Sequence, residues 1–292
     1  MSHAQNQVLV TGANGQLGQL VVDQLLTTIP ANQIMATVRT REAAAALAAR
    51  GVQARIADYD QPDSLDVALA GISRVLLISS SDLGRRVTQH RNVIEAAKRA
   101  GVGLLAYTSV LHADTSPLGL AGEHRETEAL LRNSGVPFVL LRNGWYTENY
   151  MASIPAALAH HTLIGSAGEG RIASAARADY AAAAVAVLTA TQDMAGRTFE
   201  LAGDEAYSLS ELAAEITRQS GQPVGYTNLP EADYKAALTG AGLPEALASL
   251  LADSDTGASK GALFDDSRQL GALIGRPTTP MPASVVQALA KH

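Results

Sequence analysis

Cysteine is absent from the 292 residues. That removes disulfides and thiolate metal sites, fits a reducing compartment, and makes the cytoplasm the expected location. No run of Lys and Arg occurs, and the net charge is -6 with a pI near 5.6. A nucleic-acid footprint is therefore not expected, and small molecules are the favoured partners. The longest weakly polar run, Ala181 to Ala190, is too short to span a bilayer, and the opening MSHAQNQ lacks a basic segment followed by an apolar one. Neither membrane insertion nor export is expected. The histidines, His160 and His161 included, show no metal-ligand spacing, and H-E-x-x-H does not occur, so no metal is expected. Aromatics are few, with one Trp, eight Tyr and three Phe.

Hydrophobic side chains make up 47% of the chain, enough for a large core. A helical pattern ending in glycine, followed at once by a β-branched residue and a short apolar run, recurs at Gly51, Gly71, Gly101 and Gly135. Each reads as a left-handed helix cap handing over to a strand. With QVLVTG at the start and IMATVR at 34–39, six short apolar strands alternate with helix-sized segments. This predicts an α/β fold, a Rossmann-type doubly wound parallel sheet. Residues 1–149 form the expected Rossmann domain, with 172–205 packing back onto it through an alanine-rich helix and a returning strand, TFELAG. Residues 150–171 and 206–292 are expected to form a smaller, mainly helical substrate lobe.

The segment VLVTGANGQLGQLVVDQLL places Gly12, Gly15 and Gly18 between the first strand and a helix. Gly12 suits the tight turn, Gly15 lets the backbone approach a pyrophosphate, and Gly18 lets helix pack closely on strand. Asn14 lies within this candidate cofactor loop. At the end of the second strand, where an NAD site usually carries Asp or Glu, stands Arg39. A guanidinium attracts the 2′-phosphate of NADP and offers no acceptor to a 2′-hydroxyl, although a solvated strand-end arginine is the alternative. Asp58, ending the third strand, is a candidate neighbour of the adenine or a turn residue. Ser79, Ser80 and Ser81 end the fourth strand and either border the cofactor or cap a helix. Tyr107, in the fifth strand, is a further cofactor-side candidate. It lacks the lysine four residues on that a carbonyl reductase would need, because Leu111 stands there; no other tyrosine has that lysine either.

Through TGANGQLG, LLISSSD, QHRNVIEAAKRAGV, AYTSVLHADTSPLGLA, LLRNGWYTENY, RADYAAAA and LADSDTGASKGALFDDS the chain resembles the NmrA-like atypical short-chain dehydrogenases. More narrowly, it is similar to the type 2 branch of bacterial NAD(P)H:quinone oxidoreductases. The resemblance implies NADPH bound by the Rossmann half, a small-molecule quinone in the cleft against the C-terminal lobe, and no need for flavin. Gly12, Gly15, Gln16, Leu17, Gly18 and Arg39 match the family's cofactor positions. Many NmrA-like reductases carry a lysine in the helix after the fifth strand; here His124 aligns with it. Where relatives have proline after the arginine of the sixth strand, Asn143 follows Arg142.

Under that resemblance the missing proton donor is tolerable. Hydride transfer to a quinone leaves a phenolate with a pKa of about 10 or lower, which water or a modest donor can protonate. Positioning then carries the catalysis. Trp145, Tyr146 and Tyr150 cluster just past the sixth strand, where flat rings suit a flat quinone, although packing between lobes is the alternative. Asn143 is a candidate for hydrogen bonding a carboxamide or a quinone oxygen, and His124 for orienting substrate or donating a proton. Two further readings stay open: a redox sensor that binds NADP(H) without turnover, and an NADPH reductase of another planar electron-poor compound. Homo-oligomerisation also stays open.

Overall fold

In the computed structural model, which describes residues 7–290, short apolar runs become strands because helices cover both of their faces. The order is β1 (Val8–Val10), α1 (Gln16–Thr28), β2 (Ile34–Val38), α2 (Arg41–Ala48), β3 (Gln53–Ile56), α3 (Pro62–Leu69), β4 (Arg74–Leu77), α4 (Arg86–Ala100), β5 (Leu104–Val110), α5 (Ala121–Ser134) and β6 (Phe138–Asn143). Later come α6 (Thr147–Met151), α7 (Ile154–His160), β7 (Thr162–Gly165), α8 (Arg177–Thr189) and β8 (Thr198–Leu201). The large sheet runs β3-β2-β1-β4-β5-β6-β8, and the pairings from β3 to β5 are parallel. This is the doubly wound order, and its reversal between β1 and β4 puts a ligand crevice at the carboxyl ends of those strands. Gly51, Gly71, Gly101 and Gly135 all have positive φ, between 67° and 78°, as the handover pattern requires. Leu9, Val75, Leu77, Leu105 and Leu140 of the sheet pack with Leu65, Leu69, Val93, Ile94 and Leu131 of α3, α4 and α5 in one buried core.

Two compact units divide the chain. Among the described residues the first comprises 7–110, 122–142 and 180–199; the second comprises 111–121, 143–179 and 200–290. The division falls earlier than the 149/150 boundary expected from sequence, for a reason visible in the backbone. Within the second unit Gly144 N–H donates to Leu201 O at 2.7 Å, Ala175 N–H to Trp145 O at 3.1 Å, and Gly203 N–H to Ala173 O at 2.9 Å. These bonds tie residues 173–175 and 201–203 to the chain leaving β6. The second unit also contains α9 (Leu209–Ser220), β9 (Gly225–Asn228), α10 (Glu231–Gly240), α11 (Glu245–Ser259), α12 (Gln269–Ile274) and α13 (Met281–Leu289). It is mainly helical but holds a small parallel sheet of β7 and β9, which the sequence pattern did not announce. Both strands are four residues long, too short for alternation to separate them from loop.

Within the second unit lies a buried carboxylate. Asp255 of α11 is 2% exposed; it accepts the Tyr150 hydroxyl at 2.8 Å and the Ser166 N–H at 3.0 Å. Those two bonds do not offset burial, which pushes its pKa up to about 6. The folded state therefore holds this proton more tightly than the unfolded chain. The stabilisation is full below the unfolded value of 3.8 and is lost as pH rises through about 6. Urea unfolding of the native chain should lose about 3 kcal/mol from this group between about pH 4 and pH 7. Asp255→Asn should remove that share of the slope, and an identical slope in both proteins would refute the assignment.

Candidate functional site

The first turn after β1 is built by glycine. Gly12 takes φ +59°, and Gly15 N–H donates back to Gly12 O at 3.0 Å. A Cβ on Gly18 would lie 2.3 Å from Gly12 O and 2.7 Å from Ala13 Cα, so only glycine lets α1 start this close to the strand. Gly15 is the N-cap of α1 and supplies no side chain to its first-turn amides. The first turn carries no acidic side chain either, which leaves those N–H groups and the positive end of the helix dipole suited to an external anion.

A groove of about 320 Å³ opens at this turn, within the range of small-ligand sites. Its lining brings together Gly12, Asn14, Gly15, Gln16, Leu17, Gly18, Arg39, Asp58, Ser79, Ser80 and Ser81, all expected from sequence. Arg39 is exposed and has no acidic partner among the described residues. Asp58 lines the groove and acts as a turn residue, its Oδ1 accepting the Asp60 N–H at 2.9 Å. The serine loop is pinned by its backbone: Ser79 N–H donates to Thr108 Oγ1 at 2.8 Å and Ser80 N–H to His90 Nε2 at 3.0 Å. Sequence reasoning missed Thr37, Val38, Ala57, Tyr59, Ile78, Asp82 and Gln89. Most of these follow from extending the strand-end rule to β2, β3 and β4; Gln89 arrives from α4, and no local pattern marks it.

Tyr107 does not line the groove. Alternation along β5 sends Leu105 and Tyr107 into the core under α3, α4 and α5, where the Tyr107 ring meets His90 edge-on at 5.3 Å. Its hydroxyl lies 2.7 Å from His124 Nδ1. His124 is thus a buried residue, 4% exposed, rather than the helix-surface histidine suggested by its sequence context. Burial, with Arg86 and His90 nearby, holds its pKa well below 6.5, so the imidazole is neutral at physiological pH. The His90 tautomer is defined: Nε2 accepts from Ser80, so Nδ1 donates to Thr127 Oγ1 at 3.0 Å.

The remaining candidates belong to the second unit. Asn143 is 7% exposed, and its Oδ1 is buried with no donor among the described residues. Tyr146 bonds the Asn143 side chain and lies beneath the Arg177 guanidinium, 4.7 Å from the ring centre. Trp145 and Tyr150 are buried with ring centres 6.3 Å apart. The Tyr150 hydroxyl is committed to Asp255.

The loop, the uncapped helix and the strand-end cation form one constellation, and residues 12–191 match the NAD(P)H-binding family. The chain belongs to that family. It is 59% identical to quinone oxidoreductase 2 of Escherichia coli strain K12 over 278 residues, 95% of this chain and 97% of the relative. Among solved structures, it is similar to an NADPH-dependent quinone oxidoreductase from Escherichia coli complexed with NADPH. The TM-score is 0.94 at 58% identity, covering 97% of this chain and 100% of that one. A triphenylmethane reductase from Citrobacter sp. complexed with NADP(H) matches with a TM-score of 0.93 at 37% identity, covering 97% and 100%.

For a member of the NAD(P)H-binding family, the contact between Gly18 and Gly12 should control stability and binding together. Gly18→Ala is expected to cost at least about 2 kcal/mol of stability and to weaken nucleotide binding. Gly122→Ala, on α5 with open space around the new methyl group, serves as the control and should be neutral or slightly stabilising. Denaturant titration and nucleotide titration of both variants check this.

Proposed function

We propose that this protein catalyses the two-electron reduction of quinones by NADPH through direct hydride transfer, without flavin or metal. The observation that carries the cofactor assignment is the groove, where α1 amides without a side-chain cap and an Arg39 with no acidic partner among the described residues offer two separate anion contacts. The amides suit a pyrophosphate and the guanidinium suits a 2′-phosphate. What supports a quinone as acceptor is the near-full-length likeness to quinone oxidoreductase 2 of Escherichia coli. NADPH, when bound, supplies the hydride.

The chain's own residues have modest work to do. A reduced quinone is a phenolate with a pKa of about 10 or lower, and water can protonate it. A neutral His124 is suited to hydrogen bonding and orientation, not to acid catalysis at neutral pH. Asn143, whose Oδ1 lacks a donor, is assigned to accept a ligand N–H, the nicotinamide carboxamide being the group with the right chemistry. Trp145 and Tyr146 are assigned to quinone contact. Tyr150, with its hydroxyl held by Asp255, supports them by packing. A second reading, reduction of a planar dye, draws on the likeness to the triphenylmethane reductase.

The test is NADPH oxidation by flavin-free, metal-free protein with and without benzoquinone. Quinone-dependent turnover supports the proposal; saturable NADPH binding without turnover on any quinone overturns it in favour of a sensor. Asn143→Ala should lower kcat about tenfold while the fold persists. Because His124 stays neutral, the pH profile should show no inflection near pH 6.5 that His124→Gln abolishes.

A further inference from the structure

One group in the groove is left over by this account. Gln89, in the first turns of α4, is 3% exposed and lines the groove. Its Nε2 donates to Asp60 Oδ2 at 3.1 Å and to Asp82 Oδ2 at 2.9 Å, so both amide N–H groups are answered by carboxylates. Turning the amide over would set Oε1 against both acids, so the assignment of oxygen and nitrogen is unambiguous. Asp60 is itself neutralised by Arg85 at 2.9 Å. The outcome is a rigidly held amide whose Oε1 is buried and has no donor among the described residues. A buried acceptor left unanswered is costly, and in a binding groove it marks the place of a ligand donor.

The chemistry of that donor is constrained. Arg39 reads a phosphate on the ribose, and the base is attached to the same ribose, so the base lies within one sugar of Arg39. Ala57, Tyr59 and Ile78 line the same groove with apolar and aromatic surface suited to a flat ring. Asp58 borders the groove too, and one of its two oxygens accepts the Asp60 N–H, so it is the Gln89 variants that separate the two acceptors. Among the groups of an adenine base, the 6-amino group is the exocyclic N–H donor.

We propose that Gln89 reads the adenine: its Oε1 accepts a hydrogen bond from the 6-amino group, and Asp60 and Asp82 position the amide. This rests on the reading of the groove as an NADPH site. Hypoxanthine carries a carbonyl oxygen where adenine carries the amine, so the same amide oxygen would meet an acceptor and disfavour it.

The experiment titrates the flavin-free full chain with NADPH and with its hypoxanthine analogue, reduced nicotinamide hypoxanthine dinucleotide phosphate, reading Kd for each. The native protein should bind NADPH about tenfold or more tighter than the analogue. Gln89→Met, which keeps the length but removes the oxygen, should bring the ratio to about one, and Gln89→Asn, which withdraws it by one methylene, should lower it. Equal affinities in the native protein, or a ratio unchanged in a folded Gln89 variant, would overturn the role of Gln89 while leaving the NADPH site standing. If neither nucleotide binds the native protein, the reading of the groove fails and this proposal fails with it.

Discussion

The approach of α1 to β1 at the Gly12–Gly18 contact is the constraint on which the rest of the site depends. No side chain fits at Gly18, because its Cβ would overlap the Gly12 carbonyl. That closeness lets the helix begin directly at the sheet edge, with its unsatisfied amides at the groove. Apart from Gln89 of α4, everything else that lines the groove comes from the ends of the neighbouring strands β2, β3 and β4 or from what immediately follows them. The strand order places those ends beside the α1 turn, so the position of the cation, the serine loop and the acidic cluster follows from topology.

The chemistry follows from what the fold leaves out. In place of an exposed tyrosine and lysine, the interior beneath the sheet holds a neutral pair, Tyr107 and His124, whose titrations burial drives apart: the phenol is pushed up and the imidazole down. Neither group changes its protonation state near neutrality. Such an interior suits a reaction whose product is a weak base and would serve poorly one that must protonate an alkoxide. This is why a quinone, rather than an ordinary ketone, is the acceptor most consistent with the residues present.

Much of this was legible in the sequence. The glycine handovers marked four helix ends correctly, the glycine loop had the spacing of its turn, and Arg39 stood at the predicted strand end. These features are local, set within a few residues by backbone sterics or by distance from a strand terminus. What could not be read depends on contacts across the chain. Asp255 draws its partners from Tyr150 and Ser166, far away in sequence. Gln89 looks like any polar residue on a helix until Asp60 and Asp82 are seen to hold it. The burial of Tyr107 and His124 follows from strand alternation and from α5 covering β5, which residue type alone does not disclose. The exchange of residues 173–175 and 201–203 into the second unit comes from backbone pairing with the chain leaving β6.

The central claim is that this groove selects NADPH through Arg39. The most direct measurement is the affinity of the flavin-free protein for NADPH and for NADH at low and at high salt. The account predicts NADPH binding about tenfold or more tighter at low ionic strength, with the gap shrinking as salt screens the exposed guanidinium. Equal affinities for the two nucleotides at low salt would contradict it.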